Sequence, residues 1–141
     1  MILSGKVALV TGSARGIGAG IALALAQQGA HVVVNHVSSS SLSAAQELAA
    51  SIEKLGTGSR ALVVRADLAS LDQLDDLVKQ TVDTFGKIDI LVNNGAVGEL
   101  GPLQEITVDQ YQRSVSSASN SVSNWELMIH SMMSTYARSS S

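Results

Sequence analysis

Hydrophobic positions along the first two thirds of the chain alternate between short unbroken apolar runs and longer stretches with helical spacing. "KVALVTG" is an apolar run closed by glycine, which predicts a strand buried on both faces. From Gly16 to Gln28, the residues Ile17, Ile21 and Leu25 recur four apart, one stripe of a helix, and Gly29 follows as its stop. "AHVVVNH" predicts the second strand. A helix from about Ser43 to Leu55 follows, with Leu48, Ile52 and Leu55 on one face and Gly56 behind it. "RALVVRADL" is the third strand, and Ser70 with Gln73 predicts a capping box for a helix carrying Leu74, Leu77, Val78 and Phe85, closed by Gly86. "KIDILVNNGA" is the fourth.

Strands alternating with helices and separated by tight glycine stops imply a parallel sheet wound by right-handed crossovers. The expected fold is therefore α/β, a Rossmann-type doubly wound parallel sheet of about four strands. Beyond Pro102 the pattern changes. Thr107 and Gln110 are placed to cap a further helix through Tyr111 and Val115, but serine dominates from Ser114 to Asn124 and no fifth strand is visible. Trp125, Met128, Ile129, Met132, Met133 and Tyr136 then return at helical spacing, with Asn124 as cap. That methionine-rich stripe serves core packing or a partner-binding face, and core packing is the preferred reading. Residues 1–115 are thus expected to form the sheet domain, and 116–141 a serine-rich segment ending in a short amphipathic helix.

At 141 residues the chain has room for one core. A net charge of −3 points away from nucleic acid. There is no cysteine, and His31, His36 and His130 are scattered, so neither a disulfide framework nor a metal-ligand cluster can be drawn. The N-terminal apolar run is too short for a signal peptide and lacks its cleavage pattern. No stretch approaches the roughly 20 apolar residues of a membrane span. A cytoplasmic setting is the default expectation.

"TGSARGIG" stands where the first strand meets the first helix, and that context gives a glycine triplet its meaning. Gly12 permits a turn with positive φ, Gly16 lets the backbone approach a pyrophosphate, and Gly18 lets the helix pack closely. The helix N-terminus then offers free N–H groups and a partial positive charge. At the end of the second strand a carboxylate would accept bonds from both ribose hydroxyls and select NAD; "NHVSSS" contains none. Arg15, Ser38 and Ser39 instead supply a guanidinium and hydroxyls, the groups that hold a 2′-phosphate. NADP(H) is the expected cofactor.

These motifs resemble the short-chain dehydrogenase/reductase family: "TGSARGIG" at Thr11 to Gly18, "ADL" at 66–68, and "NNGA" at Asn93 to Ala96. The "VNHVSSS" stretch looks like the NADPH-preferring members that reduce ketones on polyketide or fatty-acid intermediates. The resemblance covers roughly Gly5 to Val115 and implies a sheet order of 3-2-1-4. It also implies that Gly12, Ser13, Arg15, Gly16, Ile17 and Gly18 surround the pyrophosphate and ribose phosphate, with Asn35, Ser38 and Ser39 at the second strand's end. Asp67 would bond the adenine amino group, Leu68 would add a backbone contact, and Asn93 would hold the loop near the adenosine ribose. The family pattern is Asn-Asn-Ala-Gly; here Gly95 and Ala96 are exchanged.

The family's chemistry needs more than a nucleotide site. A tyrosine moves the substrate proton, a lysine four residues on lowers its pKa from roughly 10, a serine polarises the carbonyl and an asparagine holds a relay water. Ser123 stands 13 residues before Tyr136, the family's interval, but position 140 is Ser140 and no lysine follows Lys87. Ala118 falls where the relay asparagine belongs, with Asn120 two residues away. No catalytic residue is therefore expected. The reading is a nucleotide-binding portion of an NADPH-dependent carbonyl reductase, truncated or diverged and itself catalytically incomplete; the alternative is a non-catalytic NADP(H)-binding module or a partner of a full-length relative. The substrate stays unknown. Without a fifth strand, "IDILVNN" would be an apolar edge that invites self-association.

Overall fold

The computed structural model describes residues 1–95, 105, 107–110 and 112. The expectations for Ala118, Asn120, Ser123, the Trp125–Tyr136 stripe and a missing fifth strand fall outside them. Four strands, β1 (Val7–Val10), β2 (His31–His36), β3 (Ala61–Arg65) and β4 (Ile90–Val92), form one sheet in the order β3-β2-β1-β4. All three pairings are parallel, with Val7 beside His31, Val32 beside Ala61 and Ala8 beside Ile90. The helices α1 (Gly16–Gln27), α2 (Leu42–Glu53) and α3 (Leu71–Phe85) supply the crossovers.

The apolar runs are continuous because both faces of the sheet are covered. Leu9, Val33 and Val64 pack on Leu74, Leu77 and Val78 of α3. Their neighbours Val10, Val32 and Val34 point the other way, onto Ala22 and Ala26 of α1 and Ala45 and Ile52 of α2. Each such fully buried valine or leucine is worth about 1.5–3 kcal/mol of transfer free energy. No helix among the described residues is long and apolar enough to cross a membrane.

Two local expectations, for α1 and α3, are corrected. The buried stripe of α1 is Gly18, Ala22 and Ala26, not Ile17, Ile21 and Leu25. Small residues let this helix lie close to the sheet, which moves Ile21 and Leu25 to the flanks of the contact and leaves Ile17 78% exposed. Helix α2 begins one residue before Ser43, at Leu42, directly after a 3₁₀ turn over Ser39–Ser41. At α3 the Ser70 Oγ accepts from the Gln73 N–H as a cap should, but the Gln73 side chain turns to the Asp67 N–H at 2.8 Å. The box thereby ties the helix start to the end of β3. Thr107 and Gln110 do form the reciprocal box, at 2.8 and 3.2 Å.

β4 is shorter than its apolar run suggests, three half-buried residues that pair among the described residues with β1 alone. Its start is fastened by Asp89. The Asp89 N–H donates to the Val7 carbonyl at 2.9 Å, and its Oδ2 accepts from the Val7 N–H at 2.8 Å and from Lys87 Nζ at 3.0 Å. Burial on its own would raise this carboxyl's pKa; the Val7 N–H and the Lys87 ammonium outweigh it and hold the group below its ordinary 3.8. A carboxyl whose pKa is lower folded than unfolded gives stability above the unfolded value and loses it as pH falls through the folded one. Urea unfolding followed from roughly pH 6 down to pH 2 should therefore show stability falling below about pH 4, with Asp89→Asn flattening that part of the profile. Parallel profiles for the two proteins would show that Asp89 does not carry the effect.

Candidate functional site

The loop between β1 and α1 runs from Thr11 to Arg15 at the C-terminal end of the sheet, between the ends of β2 and β4. Gly12 has a φ of +61°, a conformation that L side chains rarely adopt. A Cβ there would also sit 2.8 Å from the Gly95 Cα, so the loop and the residues after β4 are in close backbone contact. At Gly18 a Cβ would run into the Gly12 carbonyl at 2.6 Å and the Asn94 amide. The third glycine thus lets α1 close against the loop itself as well as the sheet.

Asparagines hold this loop from two sides. The Asn35 Oδ1 accepts from the Gly12 N–H at 3.0 Å, while its Nδ2 donates to the Val64 and Ala66 carbonyls at 3.3 and 3.2 Å. Ser13 completes this side: its Oγ donates to the Val10 carbonyl at 2.7 Å and accepts from the Asn35 N–H at 3.0 Å. Both residues are fully buried. From the other side Asn94 Nδ2 donates to the Thr11 and Gly12 carbonyls at 3.2 and 3.1 Å. Thr11 Oγ1 in turn accepts the Asn94 and Gly95 N–H groups at 3.0 and 2.9 Å. Asn94 and Thr11 therefore hold the glycine loop on this side, and Asn93 is exposed just after β4. The strand order brings the two motifs together, since they become neighbours only once β4 is laid beside β1.

The remaining residues lie around this frame. Arg15 is exposed and its Nη2 donates to the Ser40 carbonyl at 3.0 Å, which lays the guanidinium along the turn that carries Ser38 and Ser39. Ser38 Oγ is 2.8 Å from Ser40 Oγ and 3.2 Å from Ser41 Oγ. No carboxylate occurs from Asn35 to Ser43. The first turn of α1 has no acidic residue and no capping side chain, and apart from its chain neighbours and the helix's own backbone no atom lies within 4 Å of where a Gly16 side chain would begin. That donor set and open approach suit an anion. On the far side, Asp67 is exposed with its Oδ1 accepting from the Ala69 N–H at 3.0 Å, and Leu68 packs against Gly95.

At position 95, where alanine and glycine are exchanged, the end of the Leu68 side chain lies where a Cβ would stand. A methyl at position 95 would collide with Leu68 Cδ1 and lie 3.2 Å from Thr11 Oγ1. Gly95 makes room for a leucine.

Fold and site together define a Rossmann-type α/β domain with a glycine-rich loop between β1 and α1. The chain belongs to the short chain dehydrogenase family, whose model matches residues 6–140. It is 43% identical over 109 residues to the hydroxynaphthalene reductase arp2 of Aspergillus fumigatus, covering 77% of this chain and 38% of that one. It is 40% identical over 111 residues to versicolorin reductase 1 of Dothistroma septosporum, covering 79% and 41%. Among solved structures it resembles a blue fluorescent protein from a metagenomic library in complex with NADPH, with a TM-score of 0.77, 38% identity, and coverage of 95% of this chain and 52% of that one. A short chain dehydrogenase from Burkholderia cenocepacia in complex with NADP gives 0.74 and 36%, covering 98% and 52%. The chain spans about 40% of the length of these curated relatives and about half of these solved chains.

The Leu68–Gly95 contact is open to a double-mutant cycle. Gly95→Ala should cost about 1 kcal/mol more in the wild-type background than in Leu68→Ala, read by chemical denaturation. Equal costs in both backgrounds would remove the contact as the reason for glycine.

Proposed function

We propose that this chain is the dinucleotide-binding portion of an NADPH-dependent carbonyl reductase, and that it binds NADP(H) across the C-terminal end of its sheet without completing the reaction. The observation that carries the reading is the pairing of Arg15 with the serine turn at the end of β2, where no carboxylate stands. A dianionic 2′-phosphate finds a guanidinium and hydroxyls there. An acid would have repelled it. The NADPH and NADP complexes of two structural neighbours support the same choice.

In this reading the backbone at Gly12, Gly16, Ile17 and Gly18 receives the pyrophosphate at the start of α1. Arg15, Ser38 and Ser39 take the 2′-phosphate. Asp67 accepts from the adenine amino group, with Leu68 beside it, and Asn93 lies toward the adenosine ribose. Ser13 and Asn35 act from behind as positioning residues, since their side chains are consumed inside the fold. The nicotinamide, when bound, supplies hydride chemistry. In this reading the chain binds and orients the dinucleotide, and Ser140 stands four residues after Tyr136, where the family's lysine would be. A neutral hydroxyl cannot replace an ammonium in lowering a tyrosine's pKa.

Titration of the chain with NADPH, followed by nicotinamide fluorescence, tests this directly. Saturable binding is expected, at least about tenfold tighter than for NADH and lost in Gly16→Asp, with no NADPH oxidation by a ketone panel above that variant. Absence of saturable binding ends the cofactor assignment, and turnover ends the assignment of incompleteness.

A further inference from the structure

We infer that Arg65 is a specificity-determining positioning residue, one that sets the turn reading the cofactor's phosphate; the inference rests on the NADP(H) assignment above. Arg65 closes β3 and is the register partner of His36, which closes β2. Alternate residues of β3 sort to opposite faces, Leu62 and Val64 toward α3, Ala61 and Val63 toward α1 and α2. Arg65 therefore belongs to the face of α1 and α2. His36 follows Val34 onto that same face. The chain from Val37 to Ser41 leaves β2 on this side to begin α2.

Side chains from β3, β2 and the β1–α1 loop converge on the carbonyls of this turn, where Ser41 Oγ also donates to the Ser38 carbonyl at 2.8 Å. Arg65 Nε donates to the Val37 carbonyl at 3.0 Å, His36 Nδ1 donates to the Ser38 carbonyl at 2.9 Å, and Arg15 Nη2 donates to the Ser40 carbonyl at 3.0 Å. Burial cannot do this work, since Val37 is 44% exposed and Ser38, Ser39 and Ser40 are exposed. Hydrogen bonds to the carbonyls are what remains to fix the backbone. Arg15 and His36 brace the middle of the turn; Arg65 braces the residue at which it leaves the sheet. With the carbonyls so held, the hydroxyls of Ser40 and Ser41 lie 2.8 and 3.2 Å from Ser38 Oγ. A phosphomonoester needs such groups in place before it arrives, because ordering them on binding weakens affinity. A dinucleotide with a bare 2′-hydroxyl makes no such demand.

The consequence is a selective effect. Loss of Arg65 should weaken NADPH and leave NADH unchanged. The experiment titrates wild type, Arg65→Met and Arg65→Gln with both dinucleotides by nicotinamide fluorescence, with thermal unfolding confirming that each is folded. Arg65→Met should bind NADPH about tenfold more weakly, the order expected for losing one charge-assisted bond, with NADH affinity within about twofold of wild type. Arg65→Gln keeps an N–H donor without the charge and should recover most of the loss. An Arg65→Met protein with wild-type NADPH affinity overturns the inference and leaves the cofactor assignment standing. Equal losses for both dinucleotides, or no recovery with glutamine, overturn it as well, the first by showing a merely structural role and the second a direct charge effect. Failure of the wild type itself to bind NADPH removes the cofactor assignment, and the inference with it.

Discussion

Gly12 hangs between two asparagines. The Asn35 amide oxygen takes its N–H, and the Asn94 amide nitrogen reaches its carbonyl. Only a side chain with both a donor and an acceptor meets the demands on Asn35, which must also satisfy the Val64 and Ala66 carbonyls at the end of β3. An aspartate there would set a buried carboxylate against carbonyl oxygens, a cost of several kcal/mol. Because β1 lies between β2 and β4, the buried Asn35 and the half-buried Asn94 close on the same glycine loop from opposite sides. No buried side-chain nitrogen or oxygen among the described residues lacks a hydrogen-bond partner. The loop is thereby shaped by the protein's own groups.

The rest of the site follows from that frame. A loop fixed close to the sheet requires a helix that can follow it, which is why α1 buries Gly18, Ala22 and Ala26 and carries its larger residues to the side. It requires a small residue where the chain returns after β4, which Gly95 provides while Leu68 fills the space. It also puts Arg15 at the edge of the loop, within reach of the serine turn that leaves β2. In the proposed reading, charge selection at that turn rests on what is present, a guanidinium and hydroxyls, and on the carboxylate that is missing.

Much of this was legible in the sequence, for identifiable reasons. Unbroken runs such as "VALV" and "HVVV" leave little choice but a strand covered on both faces, and the glycine stops at Gly29 and Gly86 mark helix ends through their positive φ. The glycine loop was legible because its spacing and its strand-to-helix setting agree. Ile17, by contrast, has the right spacing and the wrong fate, since periodicity cannot distinguish a face packed through large side chains from one packed through alanines. The role of Asn94 was hidden by distance along the chain: its bonds reach back 83 and 82 residues, and only the strand order brings them together. Arg65 was missed for the same reason, its bond to Val37 spanning 28 residues.

A loop held in advance makes a claim about the ligand-free protein, and amide hydrogen exchange measures it. The Thr11 N–H bonds the Val92 carbonyl, the Gly12 N–H bonds Asn35, and the Ser13 N–H bonds the Asn35 carbonyl. Without any nucleotide, these three amides should exchange as slowly as those of Leu9 and Val33 in the middle of the sheet. Exchange at the rate of an exposed loop, slowing only when NADPH is added, would contradict the account and make the ligand, not the asparagines, what shapes the loop.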